Sequence, residues 1–188
     1  MIWVIRNSRL GDQRGWFTES FSQRRFDEAG ISTRFVQDNH SLSREVGTLR
    51  GLHFQTPPFA QVKLVRCLRG RILDVFVDVR RGSPTYGKWG SIELSSARDE
   101  QVLIPQGYAH GFLTLEPDSE IFYKVSDFYT PKNDAGLRWN DPDIGVVWPG
   151  QVDIDLISEK DAKLPLLRDF ESPFPYDGKP LELRVLEP

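Results

Sequence analysis

The chain has 188 residues, 39% of them hydrophobic, and a formal net charge of −3. That length suits one domain with a real core, and the slight acidic excess excludes a general nucleic-acid binder, because no basic surplus exists to neutralise a run of phosphates. No apolar stretch reaches membrane-spanning length, and the opening Met1-Ile2-Trp3-Val4-Ile5-Arg6 is too short and too soon charged for a signal peptide; a cytoplasmic protein with no membrane partner is expected.

Along the chain, the one convincing helical segment early on is a charged helix from Ser22 to Ala29, closed by Gly30. Short strands follow at Arg34–Asp38, Thr48–Phe54, Lys63–Arg69, Arg71–Val79, Ser91–Ser95, Gln101–Ile104, Gly111–Leu115 and Glu120–Val125, nearly all separated by turn residues. In Leu73-Asp74-Val75-Phe76-Val77-Asp78-Val79 the alternation is clean, with Leu73, Val75, Val77 and Val79 on one face and Asp74, Phe76 and Asp78 on the other, so this sheet meets two different environments. A second short helix is expected from Ser158, whose hydroxyl can cap Glu159-Lys160-Asp161 before Pro165 stops it. From about Glu171 the chain turns proline-rich, with one apolar alternation at Leu181, Leu183 and Val185 that suits an edge strand or a loose end. Many short strands with few helices imply an all-β sandwich or barrel, and a jelly roll is the natural solution for a single domain spanning 1–188. Cys67, alone, cannot form an internal disulfide, which agrees with a reducing compartment; a packed core thiol is its expected role.

Chemistry concentrates in Leu49-Arg50-Gly51-Leu52-His53-Phe54-Gln55 and the following Lys63-Leu64-Val65-Arg66. They place a histidine and a lysine on consecutive strands, a base and a cation that can converge on one small substrate. His53, among apolar neighbours, needs a partner, and a buried carboxylate would orient it. His110 follows Gly107-Tyr108-Ala109, a flexible turn entering a strand, and can line a cavity mouth; His40, in the turn-like Asp38-Asn39-His40-Ser41, reads equally well as structural. The three histidines are far apart and show none of the close pairing usual at zinc or iron sites, so no metal is expected. Arg14, beside Gly15, has a planar fork suited to phosphate, and Tyr123 shares a strand face with Ile121 and Val125.

Eight segments in order then carry a resemblance: Gly11-Asp12-Gln13-Arg14-Gly15, Phe35 to Ser41, Leu49 to Gln55, Lys63 to Arg66, Ile104 to Phe112, Tyr123-Lys124, Arg138 to Pro142, and Leu156 to Asp161. Over about Gly11 to Leu167 the chain resembles the dTDP-4-dehydrorhamnose 3,5-epimerase family, cofactor-independent sugar-nucleotide epimerases of the cupin (jelly-roll) fold. The resemblance implies that His53 is the general base, Tyr123 the acid on the opposite sugar face, Asp161 the carboxylate orienting His53, and Lys63 the group facing the ketone oxygen. It further implies that Arg14, Glu19, Gln37, Asn39, Arg50, His110 and Lys160 bind the sugar or the nucleotide diphosphate of a dTDP-4-keto-6-deoxyhexose, in a homodimer. Val62 and Tyr108 stand where the family commonly carries Gly or Ala and Phe, beside Lys63 and His110, and are expected to reshape the pocket. The rival readings are a C3-only epimerase, a metal-dependent cupin oxygenase and a non-catalytic sugar-nucleotide binder; the last needs no opposed acid and base.

Overall fold

The structure is a computed structural model that describes all residues, 1–188. Its elements run β1 (Ile2–Arg6), β2 (Leu10–Asp12), β3 (Gly15–Phe17), α1 (Gln23–Glu28), β4 (Gln37–Ser43), β5 (Leu49–Gln55), β6 (Lys63–Arg69) and β7 (Arg71–Asp78). There follow β8 (Trp89–Ser95), β9 (Glu100–Ile104), β10 (Tyr108–Thr114), β11 (Ser119–Val125), β12 (Asp134–Gly136), α2 (Glu159–Ala162) and β13 (Leu183–Leu186). No helix is long and apolar enough to cross a membrane.

Two sheets face each other, one ordered β13-β1-β9-β6-β11-β4 and the other β12-β5-β10-β7-β8, while β2 and β3 form a separate hairpin. Between β5 and β11 the chain crosses repeatedly from one sheet to the other, the jelly-roll pattern expected of many short strands with tight turns. Between the sheets lie Val65, Cys67, Val102, Ile104 and Ile121 of one and Ile72, Phe76, Leu94 and Phe112 of the other. Phe76 is fully buried there, a contribution of about 1.5–3 kcal/mol from its area alone. Cys67 packs in this core, and burial pushes its thiol up to about 11.

The alternation in β7 has an unexpected sense. Its aspartate-bearing face, with Phe76, is the inside of the sandwich; the valine face, Val75, Val77 and Val79, points outward. That outer face is covered by Leu137, Ile144, Leu167 and Phe174 from the C-terminal third of the chain, so β7 is apolar where a second layer of chain lies over it. On the other sheet, Phe26 of α1 and Ile31 cover Ile5, Leu64 and Leu103.

The tail is an edge strand. β13 pairs in parallel with β1, Ile2 opposite Leu183 and Val4 opposite Val185. Before it, Phe174 packs edge-on against Phe54, and Arg80, nearly inaccessible and bound to Asp78, also donates to Asp177 Oδ1 at 2.6 Å and to the carbonyl of Lys179. Tyr108 completes this knot, its hydroxyl 2.5 Å from Arg80 Nη2.

Candidate active site

The inward faces of both sheets meet at one end in a cleft of two lobes, about 340 and 350 Å³, which share His53, Lys63, Tyr123 and Lys160. A cleft of this size suits a nucleotide-sized ligand. His53 comes from β5 of one sheet, and Lys63 and Tyr123 from β6 and β11 of the other. Although β5 and β6 are consecutive in sequence, they are not sheet neighbours. Lys63 approaches His53 across the sandwich, where its Nζ donates to the His53 carbonyl oxygen at 3.2 Å.

His53 Nε2 lies 2.6 Å from Asp161 Oδ1. With that N–H donated to a carboxylate, Nδ1 keeps the lone pair and is the nitrogen able to take a proton. Asp161 is set by local chemistry: Ser158 Oγ caps α2 by accepting from the Asp161 N–H at 3.1 Å, which turns the carboxylate toward β5. Its second oxygen accepts from the Gly51 N–H at 3.2 Å. Burial alone would raise the Asp161 carboxyl, but the hydrogen bond and charge of His53, with the Gly51 N–H, hold it below its ordinary value.

Glycine is required where β5 and β10 meet beside His53. A Cβ on Gly51, whose φ is +133°, would lie 2.5 Å from Gly111 Cα, and one on Gly111 would lie 2.7 Å from the Arg50 carbonyl. The close approach places His110 opposite His53 in register. The strand bearing His110 begins at Tyr108 rather than Gly111, so His110 sits within β10, buried in the cavity wall, and not in a turn at its mouth. Its Nε2 is 2.8 Å from Asp74 Oδ2. Burial lowers the imidazole below its usual value, with Asp74 opposing that shift.

Lys63 is no solvated edge residue. Burial depresses its ammonium to about 8, with Asp74 and then Asp134 pulling back upward. Tyr123 moves the other way, because burial raises the phenol, opposed by Arg50 and reinforced by Asp134.

Of the remaining expected residues, Arg50, His110 and Lys160 line the first lobe, and Gln37, Asn39 and again Lys160 the second. Gln37 Nε2 donates to Asn39 Oδ1 at 2.9 Å, both from β4. That strand runs Gln37–Ser43 rather than Arg34–Asp38. It has no apolar signature because one face of this edge strand looks into the cleft and the other at solvent. His40, on the solvent side, pairs with Glu120.

Arg14 and Glu19 do not line the cleft. Arg14 tips the exposed β2–β3 hairpin, clamped by Asp12 at 2.5 Å, and Glu19 edges a separate depression beside α1. Val62 and Tyr108 do not line it either: Val62 packs under α1 and Tyr108 serves the Arg80 knot. Three cleft-side residues escape the sequence reading. Asp134 binds Lys160 and, at 2.9 Å, the Tyr129 hydroxyl, and Asp74 stands behind His110. For Asp74 the signal was present, an acidic residue alternating with Phe76 on one strand face; Asp134, opening the three-residue β12, and Tyr129, in the irregular chain before it, carry none.

The sequence model of the family described as dTDP-4-dehydrorhamnose 3,5-epimerase matches residues 1–169. The chain belongs to that family. It is 50% identical over 173 residues to the dTDP-4-dehydrorhamnose 3,5-epimerase of Sinorhizobium fredii, covering 92% of this chain and 88% of that one. Among solved structures, the Legionella pneumophila dTDP-6-deoxy-D-glucose-3,5-epimerase in complex with dTDP-4-keto-L-rhamnose superposes with a TM-score of 0.83 at 43% identity, over 89% of this chain and 88% of that one. The Bacillus anthracis dTDP-4-dehydrorhamnose 3,5-epimerase, with TDP and PPi bound, gives 0.82 at 45% identity, over 86% and 91%. The fold is accordingly the cupin-type jelly roll of these epimerases.

Proposed function

We propose that this member of the epimerase family inverts C3 and C5 of dTDP-4-dehydro-6-deoxy-D-glucose, giving dTDP-4-dehydro-L-rhamnose through an enolate. The observation that carries it is the opposition of His53 and Tyr123 from facing sheets across one cleft, with Lys63 beside them. The C4 ketone makes the neighbouring C–H bonds acidic, because the anion left behind spreads onto oxygen. An ordinary imidazole of pKa about 6.5 is still a weaker base than such a carbanion by about a dozen units, or roughly 16 kcal/mol. A group that strengthens its hold as charge reaches oxygen must close that gap, and the Lys63 ammonium in a confined site is suited to it. His53, oriented by Asp161, takes the proton from one face, and the Tyr123 phenol returns one from the other. Arg50, Gln37, Asn39, His110 and Lys160 hold sugar and diphosphate, remote binding that fixes the reacting carbons.

The C3-only alternative is less well supported, since relatives at about half identity are named 3,5-epimerases. We also propose a homodimer, working in the cytoplasm, in which the β2–β3 hairpin carries Arg14, with Glu19 following, to the partner's cleft. Support comes from Leu10, Trp16 and Phe17, which are 69%, 55% and 67% exposed on a hairpin whose arginine does not line the His53 cleft of its own chain.

Incubation with dTDP-4-keto-6-deoxyglucose in D2O, followed by NMR of the sugar, tests the reaction. Deuterium is expected at both C3 and C5. Deuterium at C3 alone would establish the monoepimerase, and deuterium at neither would overturn both.

A further inference from the structure

One buried carboxylate at the cleft has no part in the roles assigned so far. Asp74, on β7, has no solvent exposure. Its Oδ2 accepts from His110 Nε2 at 2.8 Å, while Oδ1 is buried with no hydrogen-bond partner. A carboxylate held this way is costly unless a nearby positive charge compensates it. Lys63 reaches the same wall of the cleft: its Nζ donates to the His53 carbonyl at 3.2 Å, His53 stands opposite His110 in register, and His110 is the residue that Asp74 binds. Lys63 and His110 line one lobe, and Asp74 is the strongest charge opposing the effect of burial on the ammonium.

The other groups around Lys63 are otherwise engaged. Asp134 of β12 is bound to Lys160 and to the Tyr129 hydroxyl, and Lys160 of α2 itself repels the ammonium. Asp161 is taken by His53 of β5; His110 of β10 is bound to Asp74 itself; and Tyr123 of β11 is a phenol shifted upward, with Arg50 beyond it.

We propose that Asp74 is a positioning residue of the reaction: held in place by His110, its buried carboxylate is the counter-charge that keeps Lys63 an ammonium. The proposal rests on the role given above to Lys63. An ammonium stabilises an oxyanion and a neutral amine does not. Burial has already brought Lys63 down to about 8, so removing the opposing charge of Asp74 shifts it further toward the neutral amine near pH 7.

The test pairs Asp74→Asn, which keeps the shape and removes the charge, with His110→Gln, which keeps the charge. The pH profile of kcat/KM is measured alongside competitive acetylation of Lys63, read by peptide mass spectrometry across pH. In Asp74→Asn both the Lys63 midpoint and the alkaline limb should fall by about one to two pH units, the Coulomb scale of one nearby charge at an effective dielectric of about 20. Activity lost at neutral pH should partly return in more acidic buffer. In His110→Gln, KM should rise while the alkaline limb stays. A Lys63 midpoint unmoved by Asp74→Asn would overturn the proposal and leave the role of Lys63 standing. A midpoint that moves while the alkaline limb does not would overturn that role, and the proposal with it. If Asp74→Asn does not fold, Asp74→Ser takes its place with the same two readouts, and a Lys63 midpoint unmoved there overturns the proposal.

Discussion

At the scale of single residues, the cleft separates the two groups proposed to transfer protons by environment. His53 has a carboxylate partner at 2.6 Å that fixes its tautomer, whereas Tyr123 is raised by burial and so keeps its proton until charge appears beside it. The two variants should therefore fail differently. His53→Ala should remove deuterium exchange at both carbons and lower turnover by about 10²–10⁴-fold. Tyr123→Phe should leave measurable exchange, because the enolate still forms, while inversion is impaired. Exchange and product are read by NMR of the same sample, and equal residual inversion in both variants would mean the roles are misassigned. Tyr123 is legible in the sequence only as part of the family pattern, since a lone tyrosine among Ile121 and Val125 reads as core, whereas His53 stands out already as a base beside a cation.

At the scale of elements, the C-terminal segment behaves as a packed layer and not as a loose end. Phe174 is buried against Phe54 and under the valine face of β7, and the backbone beside it pairs with Arg81. Phe174→Ala should cost about 3–5 kcal/mol. In a chain of this size that lowers Tm by about 6–20 °C in a thermal melt, at about 2–4 °C per kcal/mol. Because Phe174 stands on the outer face of the sheet and His53 on the inner, the folded variant should keep its kcat. A melt unchanged by the substitution would show the segment to be dispensable.

At the scale of the whole molecule, two sheets supply one site, and the hairpin that carries Arg14 takes no part in its lining. If Arg14 acts across a dimer, an Arg14→Ala subunit and a His53→Ala subunit complement each other. Each variant alone should be nearly inactive, whereas co-refolded mixtures should regain about a quarter of the wild-type sites, as random pairing in a two-fold dimer requires. No recovery in mixed dimers would place Arg14 in service of its own chain or of none.

The sequence by itself determined the class of fold, the run of short strands through the middle of the chain, the capped turn at Ser158 and the pairing of His53 with Asp161, because these follow from local alternation, capping chemistry and motif order. Only the tertiary structure decided which sheet each strand joins, and therefore that His53 and Lys63 meet across the sandwich and not side by side. It also decided that the aspartate face of β7 is the inner one. Alternation states that two faces differ but not which is covered by chain folded over it from a hundred residues away. Asp74 is the consequence: a polar residue on a regular strand until His110 and Lys63 are brought beside it by strands distant in sequence.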